Sequence, residues 1–321
     1  MDSKFDVIKR AVETIDNQSK SIKKVSEYIG DDFKNCIEFL HTIKGRIVVT
    51  GIGKSAIIGM KIVATLNSTG SPAVFMHATE ALHGDLGIIQ NNDAVILVSK
   101  SGNTNEIKDL VPFLKNSKIT LISITSDKNS FLSQNSDYFI KCFVEKEAGH
   151  NNLAPTSSTT AQLVIGDAIA ICLSELKGFD KTDFAKFHPA GILGKKLNLK
   201  VKDLLDKDVK PMVNVNCGIK EIIGEISQKM LGATAVVENE KIVGIITDGD
   251  LRRFLNRNLE IVNAKSKNLM SAHPITVGPN VLATKALSIM NQRKISQLLV
   301  VDDLKYIGII HIHKILKEGI E

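Results

Sequence analysis

Apolar positions along the chain switch between two periods. Phe5, Ile8, Val12 and Ile15, then Ile22, Val25 and Ile29, then Phe33, Ile37 and Leu40 recur every three or four residues. That spacing predicts an N-terminal helical region serving packing or subunit contact. From Arg46 onward, short apolar runs at residues 47–50, 73–76, 94–98, 120–125 and 138–143 alternate with helix-length patterns as far as about Lys177. Strands alternating with helices predict an α/β fold with a doubly wound parallel sheet. The last third repeats itself. Lys202-Asp-Leu-Leu205 returns as Lys267-Asn-Leu-Met270, and Ile242-Val-Gly-Ile-Ile246 as Tyr306-Ile-Gly-Ile-Ile310, a period near 64 residues. The expected organisation is a sheet domain with its N-terminal helices over 1–198, then two copies of a small α/β module over 199–264 and 265–321.

Two turns carry the candidate chemistry. The run 94–98 empties into Ser99-Lys-Ser-Gly-Asn-Thr104, where Ser99, Ser101 and Thr104 offer O–H donors and a helix opens behind them. Hydroxyls, a glycine and helix N–H groups suit a phosphate, although the same pattern is also ordinary helix capping. The other turn is Gly51-Ile-Gly53-Lys54-Ser55, after the run 47–50. A nucleotide-hydrolase loop would need glycine at Val48, and a dinucleotide fingerprint would need an acid near residues 71–75, so both readings fail. Ligands of open α/β sheets bind beyond the strand carboxyl ends, which directs both turns to one crevice. A further cluster, Pro155-Thr-Ser-Ser-Thr-Thr160, precedes an apolar helix at 161–176. It either caps that helix or sets Ser157, Ser158 and Thr159 beside the same anion. In the first repeat, Thr247-Asp-Gly-Asp250-Leu-Arg252-Arg253 pairs a hydroxyl and a carboxylate suited to a ribose with arginines suited to a phosphate. The second repeat has His311-Ile-His-Lys314 there, so a nucleoside site would be lopsided.

Composition narrows the classes. With 321 residues, 43% hydrophobic and 24% charged, the chain has material for two or three domains. Lys4, Asp6, Lys9 and Arg10 interrupt any signal-peptide core, and no stretch approaches the roughly 20 apolar residues of a membrane helix. A cytoplasmic protein with no membrane partner is expected. Cys36, Cys142, Cys172 and Cys217 form no CxxC pair and read as reduced thiols. A net charge of +6 without a basic run, no Trp and 5% aromatics argue against nucleic acid and suit an anionic metabolite. His77, Glu80, His83 and Asp85 are ligand types that a divalent ion could use adventitiously.

Ser99-x-Ser-Gly-x-Thr104, Gly51-x-Gly-Lys-Ser55, Glu80-Ala-Leu-His-Gly-Asp-Leu-Gly87, Ala154-Pro-Thr-Ser-Ser-Thr-Thr160 and His188-Pro-Ala-Gly-x-Leu-Gly194 occur in that combination with the tandem repeat. The combination resembles the arabinose 5-phosphate isomerase family, in which a sugar isomerase (SIS) domain precedes two cystathionine-β-synthase (CBS) modules. The resemblance implies interconversion of D-ribulose 5-phosphate and D-arabinose 5-phosphate, supplying Kdo for lipopolysaccharide or capsule, by a homotetramer that needs no metal or cofactor. It places proton transfer and enediolate stabilisation on Lys54, Glu106, Glu147 and His188. Ser99, Ser101 and Thr104 would hold the phosphate, with Gly53, Ser55, His83, Ser157, Ser158 and Thr159 as further substrate contacts. A nucleotide such as CMP-Kdo would regulate through Thr247, Asp250, Arg252 and Arg253. Many relatives carry Asn-Ser-Gly-Glu-Ser where this chain has Lys100-Ser-Gly-Asn-Thr104, so Lys100 and Asn103 change the charge beside the phosphate turn. A phosphosugar-sensing protein and a hexulose 6-phosphate isomerase are the alternative readings.

Overall fold

The structure, a computed structural model, describes residues 5–206, 208–256 and 263–321. It divides into two compact units between Phe184 and Ala185. The first unit begins with α1 (Val7–Ser26) and α2 (Asp31–Thr42), as the helical spacing predicts. Then come β1 (Ile47–Gly51), α3 (Gly53–Ser68), β2 (Ala73–His77), the single turn α4 (Ala78–Ala81) and β3 (Ala94–Val98). The unit continues with α5 (Asn105–Asn116), β4 (Thr120–Thr125), the single turn α6 (Phe131–Gln134), β5 (Tyr138–Lys141) and α7 (Ser157–Leu176). The last strand ends two residues earlier than the apolar run predicts.

All five strands run parallel in the order β2-β1-β3-β4-β5. β1 and β3 are buried at every position, which is why they read as unbroken apolar runs rather than alternating ones. One face of the sheet packs against α2, α3 and α7 through Phe33, Leu40, Ile62, Leu66, Ile165 and Leu173. The other packs against α4 and α5 through Ala81, Ile107, Leu110 and Leu114. The result is the three-layer, doubly wound α/β arrangement.

α7 corrects one expectation. With 20 residues and mean hydropathy 1.3, it is long and apolar enough by composition to cross a membrane. Its apolarity has a core use, since Ala161, Ile165, Ile169, Ala170 and Leu173 are buried in the cluster beneath the sheet. The thiols of Cys36 and Cys142 are pushed up by burial to about 12, and that of Cys217 to about 11, consistent with packed, unreactive groups.

α8 (Lys181–Phe187) leads into α9 (Ile192–Asn198) and α10 (Val201–Leu204). Two similar modules follow. The first holds β6 (Met212–Asn214), α11 (Ile219–Lys229), β7 (Ala233–Glu238), β8 (Lys241–Thr247) and α12 (Asp248–Asn256). After α13 (Ser266–Leu269) and β9 (Ser271–Ala272), the second holds β10 (Thr276–Val277), α14 (Ala283–Arg293), β11 (Gln297–Asp302), β12 (Lys305–His311) and α15 (Ile312–Lys317). The 64-residue period extends to backbone detail. Helices α11 and α14 end on left-handed residues, Met230 and Lys294, and the two hairpins turn through positive φ at Asn239-Glu240 and Asp303-Leu304. The register of each hairpin also slips at matching places, Val236/Val237 and Val300/Val301. Ala233, Ala235, Leu299, Tyr306 and Ile309 join the two modules in one apolar cluster.

Candidate functional site

The chain order of the strands reverses between β1 and β3, and the loops leaving their carboxyl ends diverge there to line a crevice. A cavity of about 310 Å³ lies at this point. Lys54 and Ser55 line it after β1, Ser99 to Ser101 and Thr104 after β3, and Ser158 and Thr159 from the start of α7. Helices α3, α5 and α7 begin at Gly53, Asn105 and Ser157, so three helix N-termini meet around one cavity. Each carries about half a positive charge; at α7 Glu147 already takes the Ser158 N–H, so α3 and α5 supply the open N–H groups that make the cavity an anion site. Lys54 is exposed and makes no ion pair among the described residues, leaving its ammonium for a ligand.

The 99–104 turn is held from behind. Ser99 Oγ accepts from Gly102 N at 3.0 Å, and Leu132 N donates to the Gly102 carbonyl. Gly102 sits at φ +67°, and a Cβ there would lie 2.5 Å from Ser130 Oγ, so both backbone and space require glycine. Asn103 is a brace: its Oδ1 accepts from Phe131 N and its Nδ2 donates to the Ser101 carbonyl. Thr104 occupies the N-cap of α5 with no capping bond from its side chain, leaving its hydroxyl toward the cavity uncommitted to the helix.

Other expected residues divide. Ser55 Oγ donates to the buried Gln162 at 3.1 Å, tying α3 to α7. Gly53, with φ +57°, opens α3 without lining the cavity. Ser157 Oγ is buried without a hydrogen-bond partner and is not a lining group, whereas Ser158 and Thr159 are. Glu106 is half-buried in the first turn of α5, next in sequence to the lining residue Ile107, and is not itself a lining residue. His83 is exposed after α4, away from the lining. His77 Nδ1 accepts from Thr79 N, and among the described residues no group of three or more His, Cys, Asp or Glu gathers as metal ligands. His188 belongs to the second unit, where its carbonyl fills the place a Cβ on Gly194 would take and so fixes the turn into α9.

Glu147 is fully buried at the side chain and accepts five hydrogen bonds. Lys100 Nζ at 2.7 Å and Ser158 Oγ at 2.5 Å reach Oε1, while Thr156 N, Thr156 Oγ1 and Ser158 N reach Oε2. Burial alone would raise its pKa, but the bonds from Lys100, Ser158 and Thr156 outweigh it and hold the carboxyl at about 2. Lys100, which the sequence reading left outside the candidate site, is thus a lining residue with a buried counter-ion.

In the second unit a larger cavity, about 520 Å³, is lined by Thr247, Asp248, Asp250, Arg253, His273 and Lys294 among others. Asp250 Oδ2 accepts from Thr247 N and Oγ1 at 2.9 and 2.7 Å, and Oδ1 pairs with Arg253 at 2.5 Å. Arg252 is exposed and is not among the residues that line the cavity. The corresponding turn of the second module carries His311 and His313, ring centroids 4.9 Å apart, with His311 held below its ordinary pKa by burial and by His313.

Residues 40–172 match the SIS domain model, and residues 201–257 and 266–321 match the CBS domain model. The chain is 43% identical to the arabinose 5-phosphate isomerase KdsD of Pseudomonas aeruginosa, over 100% of this chain and 99% of the relative. It is 41% identical to the protein of that name from Yersinia pestis, over 94% and 93% respectively. Among solved structures, an E. coli CFT073 protein in complex with arabinose 5-phosphate is 42% identical, with a TM-score of 0.57, over 58% of this chain and 100% of that one. The chain belongs to the arabinose 5-phosphate isomerase family, with a SIS domain followed by two CBS domains.

Proposed function

We propose that the protein interconverts D-ribulose 5-phosphate and D-arabinose 5-phosphate through an enediolate, supplying Kdo for lipopolysaccharide or capsule. The observation that carries this reading is the cavity at the β1/β3 switch point, where three helix N-termini and several hydroxyl side chains surround space beside an uncommitted lysine. The phosphate sits against Ser99, Ser101 and Thr104, neutralised by helix N–H groups. Anchoring it fixes C1 and C2 relative to Glu106 and Lys54. Glu106 takes the proton from one carbon and returns it to the other, and the Lys54 ammonium stabilises the enediolate oxygen. Hydroxyl proton transfer by His188 is proposed on the family match alone.

The functional modules are assigned to 1–198, 199–264 and 265–321. Thr247, Asp250 and Arg253 form the polar wall of a nucleotide site for CMP-Kdo or another nucleotide, and the protein works as a cytoplasmic homotetramer. The direct test incubates the protein with D-ribulose 5-phosphate, unphosphorylated ribulose and fructose 6-phosphate and follows new aldose by NMR. Conversion of the pentulose phosphate alone supports the reading. Faster conversion of fructose 6-phosphate would move it to a hexulose isomerase, and binding without conversion would move it to a sensor.

A further inference from the structure

Lys100 lines the SIS cavity and faces both a buried carboxylate and open space. Its ammonium donates to Glu147 Oε1 at 2.7 Å, while 46% of its side chain stays exposed. An ammonium has three N–H donors, and a single carboxylate oxygen uses one. Glu147 presents no surface to the cavity. Its side chain is inaccessible, and both oxygens are taken up by Lys100, Thr156 and Ser158.

We propose that Lys100 binds the substrate phosphate beside Ser99, Ser101 and Thr104, and that Glu147 is a positioning residue that holds the Lys100 ammonium and the first turn of α7 rather than the base that moves the substrate proton. The inference rests on the reading of this cavity as a phosphosugar site. Three observations favour it. Glu147 accepts from two backbone N–H groups at the start of α7, so its charge secures the turn that brings Ser158 and Thr159 to the cavity. A carboxylate stabilised by five donors has little basicity left for a carbon-bound proton. The Lys100 carbonyl, in turn, accepts from Thr125 Oγ1, Ser126 N and Ser126 Oγ, so the backbone that carries this ammonium is fixed to the end of β4.

The charges also make the pair readable by experiment. Removing Lys100 alone leaves a buried anion close to where a phosphate must sit. Removing both charges together takes away the attraction and the repulsion at once. Full-length wild type, Lys100→Met, Lys100→Arg, Glu147→Gln and the double variant Lys100→Met/Glu147→Gln would be titrated with inorganic phosphate by calorimetry and assayed with D-ribulose 5-phosphate. Lys100→Met should weaken phosphate binding and raise KM by about tenfold or more, the scale of a charge-assisted hydrogen bond, with kcat changed by less than about threefold. Lys100→Arg should restore most of that loss, and the double variant should bind phosphate more tightly than Lys100→Met. Glu147→Gln should keep the acidic limb of the kcat–pH profile.

Unchanged phosphate affinity in Lys100→Met would overturn the assignment of Lys100. A fall in kcat of about 100-fold in Glu147→Gln, with KM unchanged and the acidic limb gone, would make Glu147 the base and overturn its positioning role. If Glu147→Gln fails to fold, Lys100→Met and Lys100→Arg decide, with melting curves of both separating a lost phosphate contact from the cost of leaving buried Glu147 without its cation. Wild type that binds phosphate through Lys100 without turning over the pentulose phosphate would sink the isomerase reading and leave the ligand assignment standing.

Discussion

The two ends of the five-stranded sheet each bury a carboxylate beside a cation, and they put it to opposite uses. At the amino ends, Asp93 precedes β3 with its side chain fully buried, accepting from Arg46 N, the Arg46 guanidinium and Gln90 N at 2.7 to 3.0 Å. Arg46 also donates to the Ile88 carbonyl, which ties the pair to the loop before β3. At the carboxyl ends, Glu147 is equally buried, but its cation lines a cavity that also collects Lys54, Thr104 and three helix N-termini. An ion pair whose cation is tied to a backbone carbonyl holds strands together, whereas one whose cation lines a cavity can bind. The same residue chemistry therefore gives stability at one end and a candidate site at the other.

The largest effect should separate chemistry from structure. Glu106→Gln should lower kcat by about 10²- to 10⁴-fold, the usual worth of a positioned base, while the melting temperature stays unchanged. A melting shift with little change in kcat would return Glu106 to the role of a helix-start acid. Next, Asp93→Asn should cost about 3 kcal/mol, since it leaves the Arg46 charge without its partner. Urea titration reads that loss, and KM and kcat of the folded variant should match wild type. If turnover falls instead, the amino end is not the purely structural one.

Gly102→Ala lies between the two behaviours. A side chain at φ +67° that also meets Ser130 should cost about 1–2 kcal/mol and, by shifting the 99–104 turn, raise KM more than it lowers kcat. The dependence on acid reads both buried carboxylates at once. Glu147 and Asp93 both ionise more readily in the folded protein, because hydrogen bonds outweigh the burial that would otherwise raise their pKa values. For a depressed pKa, the added stability is present above the unfolded value and disappears as pH falls through the folded one. For Glu147 that window runs from its ordinary 4.5 down to about 2. Urea midpoints measured through that range should fall, and less steeply in Asp93→Asn.

Much of this contrast is visible in the sequence, but only on one side. The strands are legible because β1 and β3 are buried on both faces and therefore read as Val- and Ile-rich runs ending in Gly or Ser. The Ser99–Thr104 turn shows its hydroxyls directly, and the 64-residue repeat survives in paired strands and even in paired positive-φ residues. Contacts between distant turns are not legible. Nothing near Glu147 in the chain announces Lys100 or Ser158, because their meeting depends on β5 lying next to β4 and on where α7 begins. Asp93 and Arg46 escape the sequence for the same reason, as they meet only because β1 and β3 are neighbours. Composition also misleads at α7, where a helix buried against a sheet is as long and as apolar as one that could cross a membrane.

The most direct measurement runs the reaction on D-ribulose 5-phosphate in D₂O and counts deuterium at C2 of the aldose formed, for wild type and for Glu106→Gln. The expected result is arabinose 5-phosphate carrying solvent deuterium at C2 from wild type, with product and label both lost in the variant. Product carrying protium at C2, formed equally well by Glu106→Gln, would contradict an enediolate route through this carboxylate.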